Sequence, residues 1–124
     1  MTASLAAFHA GWAWMMIVGN GLAGLWALGA VRWPSLRTRA LWWFTALTQL
    51  AVFVQVGLGV WLVAGQGRSV ARFHMFYGFV AIVAVAIIYS YRLQAPRHLY
   101  LLYGLGGLFV MGLGVRAILV GTAG

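Results

Sequence analysis

Polar positions along this chain are few, and they cluster between long apolar runs instead of recurring with a helical or strand period. The runs are Leu5 to Val31, Ala40 to Ala64, Val70 to Tyr91 and Leu99 to Gly121. A membrane crossing takes about 20 apolar residues, so each run is long enough, and the first has room to tilt or to start in the interface. The breaks carry turn chemistry. Arg32, Arg37 and Arg39 surround Trp33-Pro34, where the proline stops a helix. Gly65-Gln66-Gly67-Arg68 reads as a short turn with Ser69 capping the third run, and Arg92 to His98 contains Pro96. Thr2 or Ser4 is the candidate N-cap of the first run, and Trp42-Trp43-Phe44 an interfacial anchor in the second. Four helices joined by short loops predict an all-α, single-domain, integral membrane bundle with up-down-up-down topology.

Composition strengthens this picture. Of the 124 residues, 65% are hydrophobic, and the formal charge of +8 comes from arginine alone, with no aspartate or glutamate. The arginines are spread over the breaks and not gathered on one face, which argues against nucleic acid as a partner and for the lipid bilayer. The first and third loops hold Arg32, Arg37, Arg39, Arg92 and Arg97; the middle one holds Arg68, with Arg72 just inside the third helix. The positive-inside rule then puts the first and third loops in the cytoplasm of a bacterium and both termini outside its cytoplasmic membrane. The N-terminus lacks the basic start of a signal peptide and is expected to be retained. Missing carboxylates remove carboxylate general acids, carboxylate metal ligands and Asp/Glu relays, and missing cysteines remove thiolate metal sites.

Two sets of residues bear on packing. Of the 17 glycines, most fall inside the spans, where small residues let helix backbones approach. They serve close packing within this chain or a face for a partner subunit, a quinone tail or a haem ring. Asn20, Gln49 and Gln55 are unfavourable in hydrocarbon unless bonded, so they are expected to point inward and bond across helices. A quinone or haem contact is the sharper alternative for them.

The candidate chemistry lies with the histidines. Ser4-Leu5-Ala6-Ala7-Phe8-His9 aligns without gaps on Ser69-Val70-Ala71-Arg72-Phe73-His74, matching at Ser, Ala, Phe and His. If the two hairpins are copies, a pseudo-twofold axis sets His9 opposite His74 at equal depth; chance matching is the alternative. Helical phase puts Trp12, Ala13, Met16 and Asn20 below His9, and Tyr77, Gly78, Ala81 and Val85 below His74. Two neutral imidazoles beside Gly78 form the ligand set of a bis-histidine b-type haem, with Arg72, Arg68 and Arg116 placed to neutralise its propionates. The alternative leaves each histidine at the headgroup level, bonded to a carbonyl or lipid. His98 lies at the opposite end without a partner histidine.

Gln55-Val56-Gly57-Leu58-Gly59-Val60-Trp61-Leu62-Val63 followed by Phe73-His74 resembles one four-helix half of haem A synthase and, more loosely, small membrane cytochromes b. The resemblance covers about forty residues and implies that His74 is a haem ligand. Half the helices of haem A synthase and the glutamate of its acidic motif are missing, so its enzymatic activity is not implied. The expected role is a non-catalytic accessory or anchoring subunit of a larger membrane complex, a respiratory complex among the candidates. The alternative is a b-haem electron-transfer protein using His9 and His74. The partners expected are the bilayer, other membrane subunits and, among small molecules, a quinone.

Overall fold

A computed structural model describes residues 2–65 and 71–123. The described residues form four long helices, α1 (Thr2–Arg32), α2 (Arg39–Val60), α3 (Arg72–Tyr91) and α4 (Leu99–Ala123), with no strand. All four are long and apolar enough to cross a membrane. A π turn, Trp61–Gly65, prolongs α2, and 3-10 turns at Pro34–Leu36 and Pro96–His98 lead from each hairpin's first helix into its second.

The helix ends follow from local chemistry. Beyond Arg32 the chain extends at Trp33, and Pro34, which has no N–H to give, opens a 3-10 turn closed by Arg37 N–H to the Pro34 carbonyl at 3.0 Å. Thr38 then caps α2, its hydroxyl accepting from Leu41 N–H at 3.3 Å. Ser4 lies inside α1, so it is not the cap of that helix. The first residue of α3 is Arg72, preceded by Ala71 in extended conformation with no side-chain cap. Ser69, expected to cap it, and Arg68 lie outside the described residues.

Neighbouring helices run antiparallel, with α1 packed against α2 and α4, and α3 against α4. The closest seam joins α1 to α4, and the loosest is α2 against α3. Glycines make the close seam possible. A Cβ on Gly24 would lie 2.8 Å from the Gly104 carbonyl oxygen, and one on Gly107 2.8 Å from that of Asn20. Here backbone meets backbone, as small residues permit in lipid. Gly11, Gly57 and Gly112 have open space instead, so glycines serve internal packing on one face and not on all.

The seam between α1 and α2 is built from side chain to backbone bonds. The Trp12 indole donates to the Ala51 carbonyl at 2.9 Å, the Trp26 indole to that of Leu36 at 3.0 Å, and the Asn20 amide to that of Thr48 at 3.0 Å. Asn20 and Gln55 thus point inward and bond across helices, as expected. Gln49 is only half-buried. Asn20→Leu is expected to lose the cross-helix bond to Thr48 along with the bond to the Met16 carbonyl in its own helix, the cross-helix bond alone contributing about 0.6 kcal/mol and at most about 1.7. Reversible unfolding in mixed detergent micelles measures the change.

Both predicted inner faces are interior: Ala13, Met16 and Asn20 are buried under His9, and Ala81 and Val85 under His74. Large apolar side chains cover the outside, among them Trp14, Leu47, Phe73, Phe79 and Leu105. So much outward apolar surface is unfavourable in water and suits hydrocarbon. The five loop arginines share one end of the bundle, where the chain's own aromatics and carbonyls serve two of them. Arg37 donates to the Ala30 and Val31 carbonyls and lies 5.1 Å from the Tyr100 ring centre. Arg92 lies over Trp42, Tyr89 and Tyr103.

Candidate cofactor site between two histidines

At the other end of the bundle, the second turn of α1 and the first turn of α3 bring His9 and His74 together. These helices are diagonal and parallel, so residues near their starts share a depth. The ring centres are 6.2 Å apart and the ring planes cross at 73°. Both histidines are half-buried, and both line one cavity of about 440 Å³ where α2 and α3 diverge. Val56, Gly59 and Val60 of α2, Leu62, Val63 and Ala64 of the π turn, and Met75, Gly78 and Phe79 of α3 complete the wall. Apart from the imidazoles, the described residues of that wall are apolar. The extra residue per turn of the π segment falls on this wall, a placement frequent at functional sites.

The two imidazoles are held differently. Nδ1–H of His74 donates to the Ala117 carbonyl of α4 at 2.7 Å, which fixes the tautomer and leaves Nε2 with its lone pair free to bind a metal. Gly121 makes room for that bond, since a Cβ there would lie 2.8 Å from Nδ1. His9 is anchored through its backbone: the buried Gln55 amide donates to the His9 carbonyl at 2.8 Å, and the same nitrogen lies 3.5 Å from Nε2 of the ring. Nδ1 of His9 and Oε1 of Gln55 are buried without a hydrogen-bond partner among the described residues. Gly59 packs beneath this ring as Gly121 does beneath the other, a Cβ on it falling 3.3 Å from Cε1.

Of the remaining predicted site residues, Gly78 lines the cavity, whereas Arg72 and Arg116 are exposed and do not. The Arg116 guanidinium lies 6.0 Å from the ring centre of Tyr77, one turn along from His74. His98 sits exposed at the basic end. Sequence reasoning missed Ala117 and Gly121. Their only signal was helical spacing: Gly121 follows Ala117 as Gly59 follows Gln55, four residues on.

The donor set limits what can bind. Among the described residues no three His, Cys, Asp or Glu side chains come together, so a bare zinc ion would lack half its four ligands. Two imidazoles suffice for a metal that carries its other donors, as haem iron does. With metal–nitrogen bonds of about 2.0–2.1 Å and each nitrogen roughly 1.1 Å from its ring centre, two imidazoles facing each other across one metal have centres roughly 6.3 Å apart. The observed separation meets that requirement, and the adjoining apolar cavity gives a flat macrocycle a place. The residues present therefore fit the group.

Gly121→Ala is expected to push His74 off the Ala117 carbonyl and weaken metal binding about 10- to 100-fold, the usual effect of losing such a partner. Titrating haemin into the apoprotein and following the Soret band measures this. The chain matches no protein-family model, no curated protein and no solved structure.

Proposed function

We propose that this chain is an integral protein of a bacterial cytoplasmic membrane that holds one b-type haem between His9 and His74 and works in electron transfer. The observation that carries the reading is the pair itself: two imidazoles on diagonal helices, 6.2 Å apart, on the wall of one apolar cavity. The haem would supply one-electron chemistry. The chain's own residues bind, orient and exclude water. His74 would ligate through Nε2 with its ring set by Ala117, and His9 would be the second ligand. Val56, Val60, Leu62 and Phe79 keep water from the ring, and low polarity around a site shifts its potential. Arg116 and Arg72, exposed near this end, are placed for the propionates.

The arginine-rich end supports an orientation with that end in the cytoplasm and the histidines near the outer face. A single haem near one face does not carry electrons across the bilayer. This position supports a role as a subunit that exchanges electrons with another membrane protein, or with quinol, on the outer side. The absence of any carboxylate favours a carrier or anchoring role over catalysis.

The test is a dithionite-reduced minus oxidised spectrum of the protein purified in mild detergent from haem-sufficient cells. A b-type α band is expected at about one haem per chain. A folded protein with no such band would remove this reading. Migration in native gels tests the subunit role separately: a large assembly is expected, and a lone monomer counts against it.

A further inference from the structure

We infer that His9 is an exchangeable ligand, and that the reduced site takes up a neutral diatomic gas, such as carbon monoxide, in its place. This rests on the haem reading above.

The asymmetry between the two imidazoles carries the inference. An imidazole binds metal most firmly when its other ring nitrogen donates to an acceptor, which fixes the tautomer and raises the basicity of the ligating nitrogen. His74 has that acceptor in the Ala117 carbonyl at 2.7 Å. His9 has none: its Nδ1 is buried without a partner among the described residues. Metal binding through Nε2 would leave an Nδ1–H buried and unpaired, which is unfavourable.

Off the metal, the same Nε2 lone pair has somewhere to go. The Gln55 nitrogen lies 3.5 Å away, and one of its two N–H groups is committed to the His9 carbonyl at 2.8 Å. That bond fixes which side of the amide faces the histidine, so the second N–H is available to Nε2. Gln55 therefore competes with iron for one lone pair. Among the described residues no side-chain N–H is placed on Nε2 of His74 in this way.

The surroundings select the incoming ligand. The cavity beside His9 is apolar and opens where α2 and α3 diverge, between the outward-facing Val60, Met75 and Phe79. Small neutral gases dissolve in lipid and meet no barrier there. Among the described residues that line it, the histidines are the polar ones and no arginine is included, so the lining itself favours a neutral ligand over an anion. In the exchange the iron–Nε2 bond of His9 breaks and an iron–carbon bond forms; no electron or proton moves, and the iron is ferrous before and after.

The experiment takes the haem-loaded protein in detergent, reduces it with dithionite and mixes it with carbon monoxide in a stopped-flow spectrometer. The six-coordinate reduced spectrum is expected to convert to a carbon monoxide spectrum at a rate that levels off with gas concentration, because departure of His9 limits it. His9→Ala is expected to keep haem and lose the plateau. Gln55→Leu, which removes the competitor, is expected to slow the plateau rate roughly two- to tenfold. A reduced haem protein unchanged under saturating carbon monoxide, or a plateau that survives His9→Ala, overturns the inference and leaves the haem reading standing. Purification without haem overturns both.

Discussion

His74→Ala is expected to leave the membrane as a folded protein nearly free of haem, whereas His9→Ala keeps its haem and changes its coordination. The difference follows from how each ring is held. His74 is fixed between Ala117 and Gly121, and removing the ring removes the oriented donor; losing only the Ala117 bond costs about 10- to 100-fold, so losing the ligand costs more. His9 has no such support, and its loss is the smaller one. Haem per protein, measured by pyridine haemochrome, gives the first readout, and the low-spin to high-spin change in His9→Ala the second. Thermal unfolding gives a third: a ligand at a hundred times its dissociation constant stabilises by about 2.7 kcal/mol, a shift that haem should produce in the wild type and not in His74→Ala. Wild-type haem content in both variants would show that the histidines are not the ligands.

Gly107→Ala should weaken the bundle strongly, as should the same change at Gly24, whose added Cβ would also meet facing backbone. A Cβ on Gly107 would meet the Asn20 carbonyl oxygen at 2.8 Å, the Gly24 Cα at 2.9 Å and the Gly24 nitrogen at 3.0 Å. All three are backbone atoms and cannot swing aside. At Gly21 the nearest atom is the Met111 sulfur, the end of a flexible side chain, so the same change there is milder. Overpacking of this kind costs about 1–3 kcal/mol. Gly112 is the internal control: nothing lies within 4 Å of its Cβ position, so Gly112→Ala is expected to be neutral or to gain up to about 1 kcal/mol of helix propensity. Detergent unfolding of both variants checks the pair, and equal stabilities would mean that α1 and α4 do not meet as described.

Much of this was readable before any coordinates. The four spans and the polar bonds of Asn20 and Gln55 follow from apolar solvent, which gives a buried amide no partner except another helix. The pairing of His9 with His74 was readable from the match between the openings of the first and third runs. Other features were not. The cap at Thr38 needed the chain to extend beyond the Pro34 turn, and the π turn at Trp61–Gly65 has no residue signature. Arg37 and Arg92 lie on aromatic faces contributed by other segments, a tertiary fact that loop composition does not encode. Spacing alone also could not separate glycines that admit a neighbouring helix, such as Gly107, from those facing outward, such as Gly112.

Because the tightest seam joins α1 to α4, the bundle has an order of assembly written into it. The glycine face of α1, with Gly21 and Gly24, has no partner until α4 has been synthesised and inserted. Through that interval the first hairpin depends on the Trp12, Asn20 and Trp26 bonds, all of which lie between α1 and α2 or the turn joining them. The His74 ring gains its Ala117 acceptor only once α4 is in place, so the histidine pair is completed late in assembly. The cavity beside that pair opens at the least-packed seam, so the proposed cofactor would have a lateral way in once the chain has folded.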